Sequence, residues 1–105
     1  MVDMATRSDG TVVLHPRGVL GTDNADELRR VVVHTIRHLR PARLLIDLSD
    51  VDDLDPINLG ALAAACEIGD DHHVAVLIDH SSPAIAARFI AAGVAAERLR
   101  LDPST

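Results

Sequence analysis

Hydrophobic residues along this chain fall into short runs whose spacing switches between that of a strand and that of a helix. The run Thr11-Val12-Val13-Leu14-His15 follows the turn signal Ser8-Asp9-Gly10 and predicts a strand, with residues Val2 to Arg7 paired to it as a hairpin. Gly18 and Gly21 mark a loop. Thr22 or Asp23 then caps a helix running to about Leu39, with Glu27 placed for a capping interaction. In this helix Ala25, Leu28, Val32, Ile36 and Leu39 recur every three or four residues as one apolar face. Arg29, Arg30, Arg37 and Arg40 lie mostly off that face, and Pro41 ends the element.

The run Arg43-Leu44-Leu45-Ile46-Asp47-Leu48 is nearly continuous in apolar character, the pattern of a strand covered on both faces. Asp50 to Asp55 form an acidic loop. Asp55-Pro56 opens a second helix, because Asp is a favoured N-cap and Pro suits a first helical position that needs no N–H donor. That helix carries Leu59, Leu62, Ala63, Cys66 and Ile68 and stops at Gly69. Val74 to Ile78 is another buried strand. Ser81 or Ser82 with Pro83 starts a third helix that Gly93 closes, Leu99 to Leu101 is a short last strand, and Asp102 to Thr105 a frayed tail. The order β-β-α-β-α-β-α-β predicts a single α/β domain over residues 1–105, a mixed sheet of about four to five strands with helices packed on it.

Composition narrows what such a domain does. A chain of 105 residues matches one typical domain. With no Trp, no Tyr and only Phe89, its core is aliphatic and it has no aromatic platform for stacking single-stranded bases. The formal charge of −6 opposes phosphate backbones and anionic membranes, so neither nucleic acid nor membrane is an expected partner. Every basic residue apart from the histidines is arginine. Cys66, the only cysteine, reads as a small buried hydrophobe. Residues 1–10 lack the basic and apolar regions of a signal peptide, and no apolar run approaches the ~20 residues of a membrane span, so a cytoplasmic location is expected.

The chemistry-bearing residues form no catalytic template. His34 and His38 stand four apart on the first helix, a spacing that suits one metal, yet both flank the apolar stripe beside Arg30 and Arg37 with no acidic or cysteine partner at matching spacing. His72-His73 reads as a polar turn. Asp47, Asp50, Asp52, Asp53 and Asp55 do not follow the spacing of an EF-hand loop. No glycine-rich phosphate loop and no nucleophile elbow are present. The reading is a non-enzyme with no cofactor and no metal.

Three stretches in this order resemble the STAS domain, and in particular the bacterial anti-sigma factor antagonists. They are Val12 to Leu20 with its Gly18-Val19-Leu20, the segment Leu45 to Asp55 followed by Leu59-Gly60, and Ala84 to Val94. The resemblance implies a STAS-like fold and binding to an anti-sigma factor or related regulatory kinase, as a monomer or weak homodimer. It also places a phosphoacceptor Ser or Thr directly after the aspartate of the second helix start, where helix N–H groups and dipole favour negative charge. Here Pro56 occupies that position and Ile57 the next, so no phosphoacceptor is expected; Asn58 replaces the family's usual small Gly.

The partner-binding surface implied comprises Gly21, Thr22, Asp23, Asn24, Asp55, Pro56, Ile57, Asn58, Leu59, Gly60 and Ser81. Ile57 reads either as a contact anchor or as core. Alternative readings are a STAS accessory subunit of an ABC-transporter ATPase and a small-ligand or nucleotide-sensing STAS domain.

Overall fold

The computed structural model describes residues 2–101, the side chains of Thr22, Asn24 and Leu101 excepted. The tail from Asp102 to Thr105 lies outside the described residues. Strands β1 (Val2–Thr6) and β2 (Val12–Pro16) form the expected antiparallel hairpin, with Met4 opposite Leu14. Its turn closes where Asp9 Oδ1 accepts the Thr11 N–H at 2.9 Å and Gly10 takes a φ of 88°, a conformation that suits glycine. Helix α1 (Thr22–His34) continues into a π-helical turn, Thr35–Leu39, and β4 follows at Arg43–Asp47. Helix α2 spans Pro56–Asp71, β6 Ala75–Ser81, α3 Pro83–Ala91 and β7 Leu99–Leu101.

Five of these strands make one sheet in the order β1-β2-β4-β6-β7, parallel throughout except for the β1–β2 pair. Register lines up Val12, Leu44 and Val76 in one row and Leu14, Ile46 and Ile78 in the next. Those rows are buried beneath Leu28 and Val32 of α1, Ile36 of its π-turn, Leu62 and Cys66 of α2 and Phe89 of α3. The core therefore lies between one face of the sheet and the three helices.

The structure corrects the sequence reading in four places. The segments read as loops at Gly18 and at 50–55 contain β3 (Gly18–Leu20) and β5 (Val51–Leu54), which pair in parallel as a separate two-stranded ribbon. Strands of three and four residues are too short for periodicity to stand out from their Gly and Asp flanks. The continuous run in β4 is buried on both faces as expected: Leu44 and Ile46 lie in the core rows, and Leu45, fully buried, sits on the far face in register with half-buried Val13 and Leu77. Leu39 is half exposed, because the wide π-turn rotates it off the stripe that Ile36 still follows.

Gly69 does not stop α2. A Cβ there would stand 2.5 Å from Val76 Cγ2, so glycine lets the helix approach β6, and the stop comes at His73, whose φ is 59°. Finally β6 reaches Ser81, leaving Ser82 alone as the cap of α3.

Candidate functional site

The helices α1, α2 and α3 all begin at one end of the molecule, where the strands preceding them finish. The start of α2 is the most heavily tied of the three. Asp55 is its N-cap: Oδ1 accepts the Asn58 backbone N–H at 2.8 Å, and Pro56 fills the first helical position. The Asp55 N–H in turn donates to the Leu20 carbonyl at 2.9 Å, which continues the β3–β5 ribbon into the helix. Asn58 completes the tie. Its side chain is fully buried, and Nδ2 donates to the Gly21 carbonyl at 2.9 Å and to Asp55 Oδ1 at 2.8 Å. The loop before α1 and the start of α2 are thus fastened to each other by one amide.

The ribbon beneath is held by further polar contacts. The Gly18 N–H donates to the Asp50 carbonyl at 2.8 Å, and the Asp50 carboxylate lies 2.8 Å from His15 Nε2. Asp53 Oδ1 accepts the Leu54 N–H and faces Arg88 of α3 at 3.9 Å. Asp50, Asp53 and Asp55 therefore have local structural tasks. Among the described residues no group of three or more His, Cys, Asp or Glu gathers as a metal-ligand set.

At the corresponding start of α3, Ser82 Oγ accepts the Ile85 N–H at 3.2 Å and Pro83 follows. The neighbouring anchor is ionic. Asp79, buried at the end of β6, is gripped by Arg100 through two bonds of 2.8 and 2.7 Å. These hydrogen bonds hold the Asp79 carboxyl below the usual carboxylate range against the opposing effect of burial.

Pro56 and Ile57 stand exposed beside this framework, Ile57 at 58%. Asp23 is exposed in the first turn of α1, Gly60 is exposed one turn into α2, and Asp55 and Gly21 are partly exposed. The side chains of Thr22 and Asn24 lie outside the described residues. Two expected surface residues are corrected: Asn58 and Ser81 are both fully buried and cannot meet a partner in this arrangement. Asn58 is a fastener, and Ser81 ends a strand inside the fold. Leu59 turns half-buried against the core. Val19, 62% exposed on β3, was not expected here; a Val-Leu pair between two glycines in a presumed loop gives no signal of an exposed strand position.

A separate groove lies between α2 and the segment after α3, lined by Gly60, Ala63, Cys66 and Gly93 and flanked by the Arg98–Asp70 pair at 2.6 Å. Burial pushes the Cys66 thiol up, away from the reactive thiolate.

Comparison with known proteins places this geometry. A family model described as "Mlab, STAS domain" matches residues 4–101. No curated protein matches the chain. Among solved structures, the phosphorylated form of the Bacillus cell fate determinant SpoIIAA superimposes with a TM-score of 0.79 at 12% identity, covering 99% of this chain and 94% of that one. A putative anti-sigma factor antagonist from Thermotoga maritima gives a TM-score of 0.76 at 16% identity, over 98% of this chain and 88% of that one. A sulfate transporter family protein from Wolinella succinogenes gives 0.73 at 17% identity, over 95% and 83%. The fold, a mixed five-stranded sheet with three helices, is that of the anti-sigma factor antagonists. With the match running over nearly its whole length, the chain belongs to the Mlab-type STAS domain family.

Proposed function

We propose that this chain is a non-catalytic docking module whose partner surface is the exposed start of α2, Asp55 to Ile57, flanked by Val19, Gly21 and Asp23. The observation that carries the reading is the pairing of an exposed apolar residue, Ile57, with a backbone fixed from two sides by Asp55 and Asn58. A rigid apolar anchor loses little conformational freedom on binding, so its burial is retained as affinity. The partner class is an anti-sigma factor or related regulatory kinase, which the likeness to antagonist structures supports. Because Pro56 carries no hydroxyl, the surface is not switched off by phosphate at that position.

A second reading is an accessory subunit of an ABC-transporter ATPase; the likeness to a sulfate transporter family protein supports a transport-linked partner. Affinity capture from the source cells followed by mass spectrometry separates the two. An anti-sigma factor or kinase on the beads supports the first, and a transporter ATPase supports the second. In either case Ile57→Asp is expected to weaken capture about tenfold or more while leaving the melting temperature within a few degrees. Undiminished capture by that variant would remove the start of α2 from the partner surface.

A further inference from the structure

Arginine is used in two ways on this molecule. Arg17, Arg88, Arg98 and Arg100 each face an aspartate within 4 Å. Arg29, Arg30, Arg37 and Arg40, all exposed along α1, its π-turn and the residue that caps it, face no carboxylate at that range among the described residues. His34 and His38 stand between them with ring centroids 4.9 Å apart. In a chain of formal charge −6 these groups make one concentrated basic stripe. Asp26 and Glu27 begin only one turn before it.

The stripe has a shape as well as a charge. Arg29, Arg30, His34, Arg37 and His38 line one continuous groove. Arg30 and His34 also line a second, mainly apolar groove with Met4 and Val31. Met4 is 54% exposed on β1, the edge strand of the sheet. The two grooves thus meet along Arg30 and His34, basic on one side and apolar on the other.

We propose that the outer face of α1 is a second docking surface, which takes an extended acidic segment of a partner protein, its carboxylates on the arginines and its one apolar side chain beside Met4. Spacing favours a linear ligand over a single anion. Arg30 and Arg37 are seven residues apart, about 10 Å along a helix. Carboxylates on alternate residues of an extended chain repeat at about 6.7 Å, so two or three of them span the stripe. Planar guanidinium forks match carboxylates two bonds at a time. A membrane surface is disfavoured because the apolar face of α1 is already committed to the core and has nothing to insert. The π-turn that ends the stripe is a rare element found often at functional sites. This surface is separate from the start of α2, so the module could join two partners.

The test is fluorescence anisotropy with a labelled pentapeptide, Glu-Glu-Leu-Glu-Glu, at low ionic strength. Saturable binding is expected, weakened about tenfold or more by Arg30→Glu with Arg37→Glu. Met4→Asp is expected to weaken it severalfold, and Arg88→Gln and Ile57→Asp to leave it unchanged. All the substituted residues but Arg88 are largely exposed, and thermal melts of each variant, together with the milder Arg30→Gln/Arg37→Gln pair, guard against misfolding. The proposal is overturned if the charge reversal leaves binding intact. It is overturned equally if an all-glutamate peptide or inorganic tripolyphosphate binds as tightly, which would mean unspecific anion attraction. Cosedimentation with phosphatidylglycerol vesicles in place of peptide binding would assign the stripe to a lipid surface and also overturn it.

Discussion

Helices α2 and α3 begin with the same device, a polar cap followed by proline, but the two starts are secured differently. Asp55-Pro56 and Ser82-Pro83 each satisfy the third backbone N–H of their helix. Behind α2 stands a neutral amide, Asn58, reaching across to Gly21. Behind α3 stands a charged pair, Asp79 with Arg100, one strand end away. The amide-to-carbonyl bond from Asn58 to Gly21 contains no titratable group, whereas an ion pair keeps its strength only while the carboxyl is ionised. The proposed docking end therefore pairs a start whose tie to Gly21 carries no titratable group with one that acid can loosen.

The largest break in that comparison should come from Asn58→Leu. The variant keeps roughly the same volume but loses both Nδ2 bonds, at about 1 kcal/mol each, and frees the loop at Gly21 from α2. A loss of about 2 kcal/mol, read as a fall of about 10 °C in Tm, is expected. Hydrogen exchange should rise at the Asp55 and Asn58 amides first. A Tm unchanged within a degree or two would mean that the ribbon alone fixes the α2 start.

Arg100→Gln probes the other side. Asp79 has its folded pKa depressed, so the pair stabilises the protein above the unfolded carboxylate pKa of about 4 and ceases to do so as pH falls through the folded value. Because Arg100 is half exposed, solvent screening discounts the effect to about 1–2 kcal/mol near pH 7. Wild type and variant should converge in stability once the pH has fallen through the depressed pKa of the folded Asp79 carboxyl. Parallel curves across the whole range would show that Asp79 is held by something other than charge.

Why both helix starts were legible in the sequence and the ties behind them were not follows from the range of the interactions. The Asp55-Pro56 and Ser82-Pro83 starts are local, and cap chemistry three residues long can be read directly. The β1–β2 hairpin and the apolar rows of β4 and β6 were legible for the same reason, since period and turn residues sit together in the chain. The Asn58 tie spans 37 residues and the Asp79–Arg100 pair 21, and neither leaves a trace in spacing. A buried asparagine looks like any polar residue early in a helix, which is why Asn58 was expected on the surface. Pro56 was read correctly as a helix start, whereas Val19 could not be recognised until β3 and β5 were seen to pair.

Ser82→Ala sharpens the comparison more gently. It removes one 3.2 Å cap bond and leaves the Asp79–Arg100 pair in place, so about 1 kcal/mol is expected, with exchange rising first at the Ile85 amide.

The smallest effect on folding should come from Pro56→Ser. Proline at the first helical position contributes mainly by limiting the unfolded chain, so its loss costs about 0.5–1 kcal/mol, and serine suits the same place. Asp55 and Asn58 keep their bonds, since neither uses the Pro56 side chain. What changes is chemistry: an exposed hydroxyl now stands at the helix N-terminus, where the dipole favours an added phosphate. Incubated with ATP and an anti-sigma kinase, Pro56→Ser is expected to gain a phosphate that the unaltered chain does not. Partner capture should then fall with phosphorylation and not before it. If the wild-type chain is phosphorylated to the same extent, another hydroxyl is the acceptor, and the start of α2 is not where such a switch acts.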